Sequence, residues 1–221
     1  MKNLWQQVSE ASRKHKEWSM ILSDFLARPI TWLLIKLTPL TPNQVSIISF
    51  LFGLAGAYFL YLGGDKNFLI GASLALAYNV LDMCDGMIAR VKNLKSPLGH
   101  WLDGTLGFIL FPIIIFSLTL GLHNYIALIL GMAAIMSYPL QYALVYFYKL
   151  EVFKSKEKME MPGKFEFARY AYGSSFFYLF LFLAALLNKP WSVLWFWAIF
   201  GNGYWMVLLI IQYFSIRKQE E

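Results

Sequence analysis

The chain has 221 residues, 58% hydrophobic, 18% aromatic and only 14% charged, with a mean hydropathy of +0.52 and a net charge of +6. Soluble domains of this length carry more charge and interrupt their apolar runs, so the composition excludes a soluble globular enzyme and points to a polytopic helical membrane protein. The single cysteine, Cys84, excludes an intrachain disulfide and a thiolate zinc site, and reads as a small apolar filler on a helix.

Residues 1–16 are polar and basic, with no apolar run leading to a small-residue cleavage site, so no leader peptide is expected to be removed. Residues 17–37 place Trp18, Ile21, Leu22, Phe25 and Leu26 at helical spacing on one face. Glu17, Asp24 and Arg28 interrupt that face, and Pro29 is expected to limit the helix. The stretch is too charged to span, and Trp18 and Trp32 suit headgroup depth. It predicts an amphipathic helix lying on the cytosolic leaflet, the alternative being a soluble helix packed under the bundle. The following "LTPLTPNQVS" (37–46) cannot continue a helix but can start one, capped by Thr41 or Asn43.

Six apolar runs follow, at about 45–62, 68–90, 98–121, 125–148, 169–187 and 191–214, against the roughly 20 helical residues that cross a hydrocarbon core. The fold class is therefore all-α, a membrane protein of six transmembrane helices with an N-terminal interfacial helix. Its expected organisation is a cytosolic segment 1–40, a membrane domain 41–214 and a tail 215–221. "GLAGA" (53–57) and "GASLALA" (71–77) supply small residues for close helix contact in the first two spans. With the N-terminus in the cytosol, 17 of the 19 Lys and Arg residues fall on the cytosolic side, and only Lys66 and Lys189 lie opposite. That asymmetry is the positive-inside signal, so the basic excess reports topology and not a nucleic-acid surface. The outer turns "GGDKN", "LHN" and "NKP" are too short for a domain, which leaves the bundle and its cytosolic face for any site. Compactness points to a bacterial or archaeal cytoplasmic membrane.

The chemistry concentrates in "LDMCDGMIARVKNLKSPLGHWLDGTLGF" (81–108). Asp82 and Asp85, three residues apart on one helix, share a face near the cytosolic end of the second span. Asp103 begins the third, across a short turn that makes the two helices antiparallel neighbours. Three uncompensated carboxylates at that depth would each cost roughly 2.5–3.5 kcal/mol on insertion scales. Arg90 is the one nearby basic partner on this helix pair, and pairing with it or protonation is the purely structural alternative. A divalent cation explains the acids better: clustered oxygen ligands without thiol or imidazole favour Mg²⁺ or Mn²⁺, and Mg²⁺ held by few carboxylates commonly binds substrate phosphates too. Gly86, Ala89 and Gly99 would let a flat ligand approach the backbone beside the metal.

This spacing resembles the signature of membrane CDP-alcohol phosphotransferases, the CDP-alcohol phosphatidyltransferase family, of form D-x2-D-G-x2-A-R-x8-G-x3-D-x3-D. Asp82, Asp85, Gly86, Ala89, Arg90, Gly99 and Asp103 occupy its positions, and "TPNQVS" (41–46) is similar to the family's opening segment. The resemblance implies a CDP-alcohol donor that gives its phosphoalcohol, a phosphatidyl group in some members, to an acceptor hydroxyl with release of CMP. It implies that Asp82, Asp85 and Asp103 hold metal on the pyrophosphate, that Asp85, Gly86, Ala89, Arg90 and Gly99 shape the nucleotide pocket with Thr41, Pro42 and Asn43, and that the protein is a homodimer.

One position departs. The resemblance predicts a fourth Asp, usually the general base, where this chain has Gly107. Three answers are open. Another group takes the proton, with His100 one helical turn before Asp103 as first candidate and Glu166 as second, imidazole being the side chain most used for proton transfer. Or the acceptor is already an anion, such as a phosphate or carboxylate, and needs no strong base. Or the protein binds a CDP-alcohol without turning it over. Lys149, Lys164 and Arg169 lie where an acceptor phosphate would dock from the cytosol. A cation transporter using the same acids is disfavoured, because every acid lies near the cytosolic end.

Overall fold

The computed structural model describes residues 2–12, 18–152 and 173–220, and among these every regular element is helical. Helix α1 (Leu4–Ala11) opens with a capping box in which the Asn3 side chain accepts from the Gln6 amide and Gln6 accepts back from Asn3. Helix α2 (Trp18–Leu37) follows, then α3 (Pro42–Leu62), α4 (Asp65–Val91), α5 (Pro97–Gly121) and α6 (Tyr125–Phe147), the last continuing through a π turn, Tyr148–Val152. Helix α7 is Ser174–Leu186, and α8 (Pro190–Phe196) joins α9 (Asn202–Glu220) through a second π turn, Trp197–Gly201.

Among the described residues five helical runs are long and apolar enough to cross a membrane: α3, α4, α5, Tyr125–Val152 and Pro190–Arg217. The expected span at 169–187 begins outside the described residues, and its described part, α7, has 13 residues. Helix α9 runs past the expected end at 214 to Glu220.

Pro29 does not limit the N-terminal helix, which passes through it to Leu37. The proline sits on the exposed face, where one lost backbone bond harms no packing. On the opposite face α2 buries Ser19, Ser23, Asp24, Ala27 and Thr31, while Trp18, Ile21, Leu22, Phe25 and Leu26 point outward. A helix packed under a soluble bundle would bury the apolar stripe; this one turns it away from the protein.

Helices α3 and α4 cross where Gly56 meets Gly71. A Cβ on Gly56 would lie 2.8 Å from the Gly71 carbonyl oxygen, and one on Gly71 would lie 2.7 Å from that of Gly56, so the crossing tolerates nothing larger than glycine. One core gathers Ala72, Ala75, Ile114, Phe177, Leu181 and Trp197 from the membrane helices. A second core, Val8, Ala27, Val45, Val80, Cys84 and Met87, fastens α1 and α2 to α3 and the signature half of α4. Cys84 is fully buried there, the filler its sequence context predicts. Asn79 holds the level between them, donating to Ser23 Oγ (2.8 Å) and accepting from Ser175 Oγ (3.1 Å). Buried amides need such partners.

Helix α5 packs chiefly on α3 and α6, whereas α4 packs on α3, α2 and α7. The short α4–α5 turn therefore does not make the two helices close-packed neighbours, as their spacing predicts. They share α3 as a support and face each other across a gap. The gap is the site.

Candidate functional site

Local sequence sets the walls of this gap. Thr41 caps α3 in a reciprocal box with Gln44, and Pro42 takes the first helical position. After α4, Asn93 adopts φ +55, a conformation asparagine tolerates, and the chain turns. Lys92 Nζ ties the turn to the Leu40 carbonyl at 3.1 Å. Ser96 caps α5 by accepting from the Gly99 amide at 3.0 Å.

A first cavity of about 210 Å³ opens between the start of α3, the end of α4 and the start of α5. Seven of the eight residues predicted for the nucleotide pocket line it: Pro42, Asn43, Asp85, Gly86, Ala89, Arg90 and Gly99. Thr41, the eighth, is the helix cap and lies outside the lining. Asp103 and His100 complete the α5 wall, and Lys95 and Ser96 the turn. Two of the glycines make room for protein before any ligand. A Cβ on Gly99 would sit 3.0 Å from Asn43 Oδ1, and one on Gly86 would sit 3.2 Å from Arg90 Nη1.

Asp85 is buried and accepts a short hydrogen bond from the Ser46 hydroxyl. Ser46 is missing from the sequence reading. Its signals are its place at the end of "TPNQVS" and its position three residues after Asn43, on the same helical face. Arg90 Nε donates to the Ala11 carbonyl, the last of α1, a contact across 79 positions that no motif announces.

A second cavity of about 190 Å³ lies further along the same gap. Tyr78, Asn79 and Asp82 come from α4, Asp103, Gly107 and Phe108 from α5, and Tyr138, Tyr142, Ser174 and Tyr178 from α6 and α7. Asp103 lines both cavities. Gly107 faces the second, where the Tyr78 hydroxyl is 3.5 Å from the place its Cβ would take. Tyr78 is packed edge-on against Tyr178, with ring centroids 5.1 Å apart. The space beside Gly107 is thus faced by a phenol.

The three acids are consequently divided, Asp85 on the first cavity, Asp82 on the second and Asp103 between them. Among the described residues no group of three or more His, Cys, Asp or Glu side chains is gathered to hold one metal ion. The donor set itself is all carboxylate oxygen, which suits a hard divalent cation. His100 lines the first cavity and not the second. Glu166, Lys164 and Arg169 lie outside the described residues, and Lys149 falls in the π turn after α6.

A model of the CDP-alcohol phosphatidyltransferase family matches residues 39–209. The chain is 36% identical over 98 residues to the bifunctional IPC transferase and DIPP synthase of Rubrobacter xylanophilus, a stretch that is 44% of this chain and 22% of that protein. It is 38% identical over 82 residues to the archaetidylinositol phosphate synthase of Pyrococcus horikoshii, 37% of this chain and 42% of that protein. The chain thus matches well under half the length of either relative.

Proposed function

The chain belongs to the CDP-alcohol phosphatidyltransferase family, and from that premise we propose that it transfers a phosphoalcohol group from a CDP-alcohol to an acceptor, releasing CMP, in the making of a phospholipid or related membrane lipid. The acceptor oxygen forms a bond to the donor's distal phosphorus as the phosphorus–oxygen bond to CMP breaks. CMP leaves with the bonding electrons, and the acceptor gives up a proton. What carries this reading is the collection of nine signature and opening-segment residues around one cavity, one of which, Asp103, also lines a second.

The first cavity takes the CDP moiety. Arg90 and Lys95 supply positive charge to the pyrophosphate, Asn43 and Ser96 supply hydrogen bonds, and Gly86, Ala89 and Gly99 keep the wall low enough for a flat base. Asp85 and Asp103, with Asp82 drawn in from the second cavity, are the residues that would hold Mg²⁺ or Mn²⁺, which when bound would offset the charge of the departing CMP. Ser46, bonded to Asp85, orients that carboxylate. The second cavity takes the acceptor. Among the described residues Asp103 is the acid that lines both cavities; His100, one turn before it on the first cavity, would take the acceptor's proton where the two cavities meet, and Glu166 is the second candidate. A phosphorylated polyol is the acceptor class in keeping with the archaetidylinositol phosphate in the Pyrococcus relative's name, its attacking group a hydroxyl whose proton a neighbouring base must take. The chain works as a multi-pass protein of a prokaryotic cytoplasmic membrane. Six spans, both termini and both cavities at the cytosolic face, α2 in the interface and a homodimeric assembly complete the reading. It is supported by the distribution of Lys and Arg and by the outward apolar face of α2.

Gly107 favours a second reading, a silent protein that binds a CDP-alcohol without transfer. CMP release separates the two. Membranes holding the wild type, with Mg²⁺ or Mn²⁺, a panel of CDP-alcohols and cytosolic extract as acceptor source, are expected to release CMP, and Asp85→Asn membranes are not. Release by Gly107→Asp alone would establish the silent binder.

A further inference from the structure

The first 38 residues lie outside the family match, yet Ala11 among them bonds to Arg90, which lines the first cavity. We infer that Ser12, Asp24 and Arg28 form a latch that positions the signature arginine, Arg90, for the donor's phosphates. The inference rests on reading the first cavity as the donor site.

The chain of contacts is short. Arg90 Nε donates to the Ala11 carbonyl, which closes α1. Carbonyls of a last helical turn have no partner within the helix, and a guanidinium is a favourable one. Ser12, the next residue, is clamped: its hydroxyl donates to Asp24 Oδ2 at 2.6 Å and accepts from Arg28 Nη2 at 3.0 Å. Asp24 and Arg28 are joined to each other at 2.8 Å, and the Asp24 side chain is only 3% exposed. Val8, one turn before Ala11 and fully buried in the core against α4, anchors α1. The place of the Ala11 carbonyl is therefore set by three side chains and a buried anchor.

That carbonyl in turn sets the plane of the Arg90 guanidinium. With Nε held by Ala11, the terminal nitrogens lie over Gly86, 3.2 and 3.7 Å from the place of a Cβ there, and Arg90 and Gly86 both line the donor cavity. A planar guanidinium recognises phosphate by a pair of parallel hydrogen bonds, so its orientation is what the site needs fixed. The charges that interrupt α2 in the sequence are thereby absorbed: Asp24 and Arg28 face inward to the latch. Ser12, Asp24 and Arg28 are positioning residues, since they act through Arg90.

The test is the affinity of the full-length protein in nanodiscs for CMP with Mg²⁺, alongside its thermal midpoint. Ser12→Ala is expected to weaken CMP binding about threefold and Asp24→Asn about tenfold, the range set by one hydrogen bond and one charge-assisted contact. Ser12→Ala, which leaves the ion pair in place, carries the test should Asp24→Asn fail to fold. Arg90→Lys keeps the charge without the Nε donor. In that background Ser12→Ala is expected to change CMP affinity by less than about twofold, the signature of residues acting through one shared group. Latch variants that bind CMP like the wild type while Arg90→Lys does not, or a loss that persists undiminished in the Arg90→Lys background, would overturn the latch alone. A wild type that binds no CMP would overturn the donor-site reading and the latch with it.

Discussion

The two cavities that meet at Asp103 are built from different materials. The first is walled by helix starts, a turn, two charged donors and glycines whose places are taken by Arg90 and Asn43. The second is walled by aromatic rings from four helices, with Asn79, Ser174 and two carboxylates among them. The first is bounded by residues spaced closely along the chain and is written as a motif. The second is assembled from distant helices. The difference separates a cavity lined by residues of the signature and the opening segment from one lined mainly by aromatic side chains, where Gly107 lies.

The comparison breaks most visibly if the first cavity's acids are removed. Asp85→Asn, or chelation of divalent ions, is expected to lower CMP release by about a thousandfold or more, as loss of a metal's charge stabilisation does, read by CMP chromatography. Ser46→Ala leaves that carboxylate in place without its hydroxyl partner. It should weaken Mg²⁺ or Mn²⁺ affinity about tenfold to a hundredfold, the size of outer-ligand effects, measured by metal titration of CMP binding. On the acceptor side Gly107→Asp is expected to raise turnover about tenfold, toward the gain from one positioned base, with CMP affinity unchanged. If CMP affinity falls with it, the two cavities are not separate in function. The smallest effect belongs to the aromatic wall: Tyr142→Phe should raise the acceptor KM by about threefold, the worth of one neutral hydrogen bond, and leave the donor KM alone.

Much of this was legible in the residues. Apolar run lengths, the Lys and Arg asymmetry and the small-residue stretches of α3 and α4 gave the helical membrane fold, and the glycine crossing at Gly56 and Gly71 follows from them. The lining of the first cavity was legible because it draws on two short stretches, 42–46 and 85–103, whose residues each have a distinctive chemistry. What the spacing could not give was the gap between α4 and α5. A short turn makes two helices successive, but α3 decides how far apart they lean, and that is a contest of packing energies spread over three helices. Ser46, Tyr78 and Tyr178 escaped for a related reason. Serines and tyrosines in apolar helices usually satisfy themselves locally, and only the fold turns these three onto carboxylates, a glycine and one another. Pro29 misled because its cost depends on which face it occupies, and here it faces outward.

If Asp103 joins a donor cavity to an acceptor cavity, a substitution there uncouples binding from transfer. Wild type and Asp103→Asn would be compared for Mg²⁺-dependent CMP binding and for transfer of labelled phosphoalcohol from a CDP-alcohol into lipid-soluble product. The account predicts that Asp103→Asn still binds CMP within about tenfold of wild type, the scale of one charge-assisted contact, while product formation is lost. An Asp103→Asn protein that transfers at the wild-type rate would contradict it.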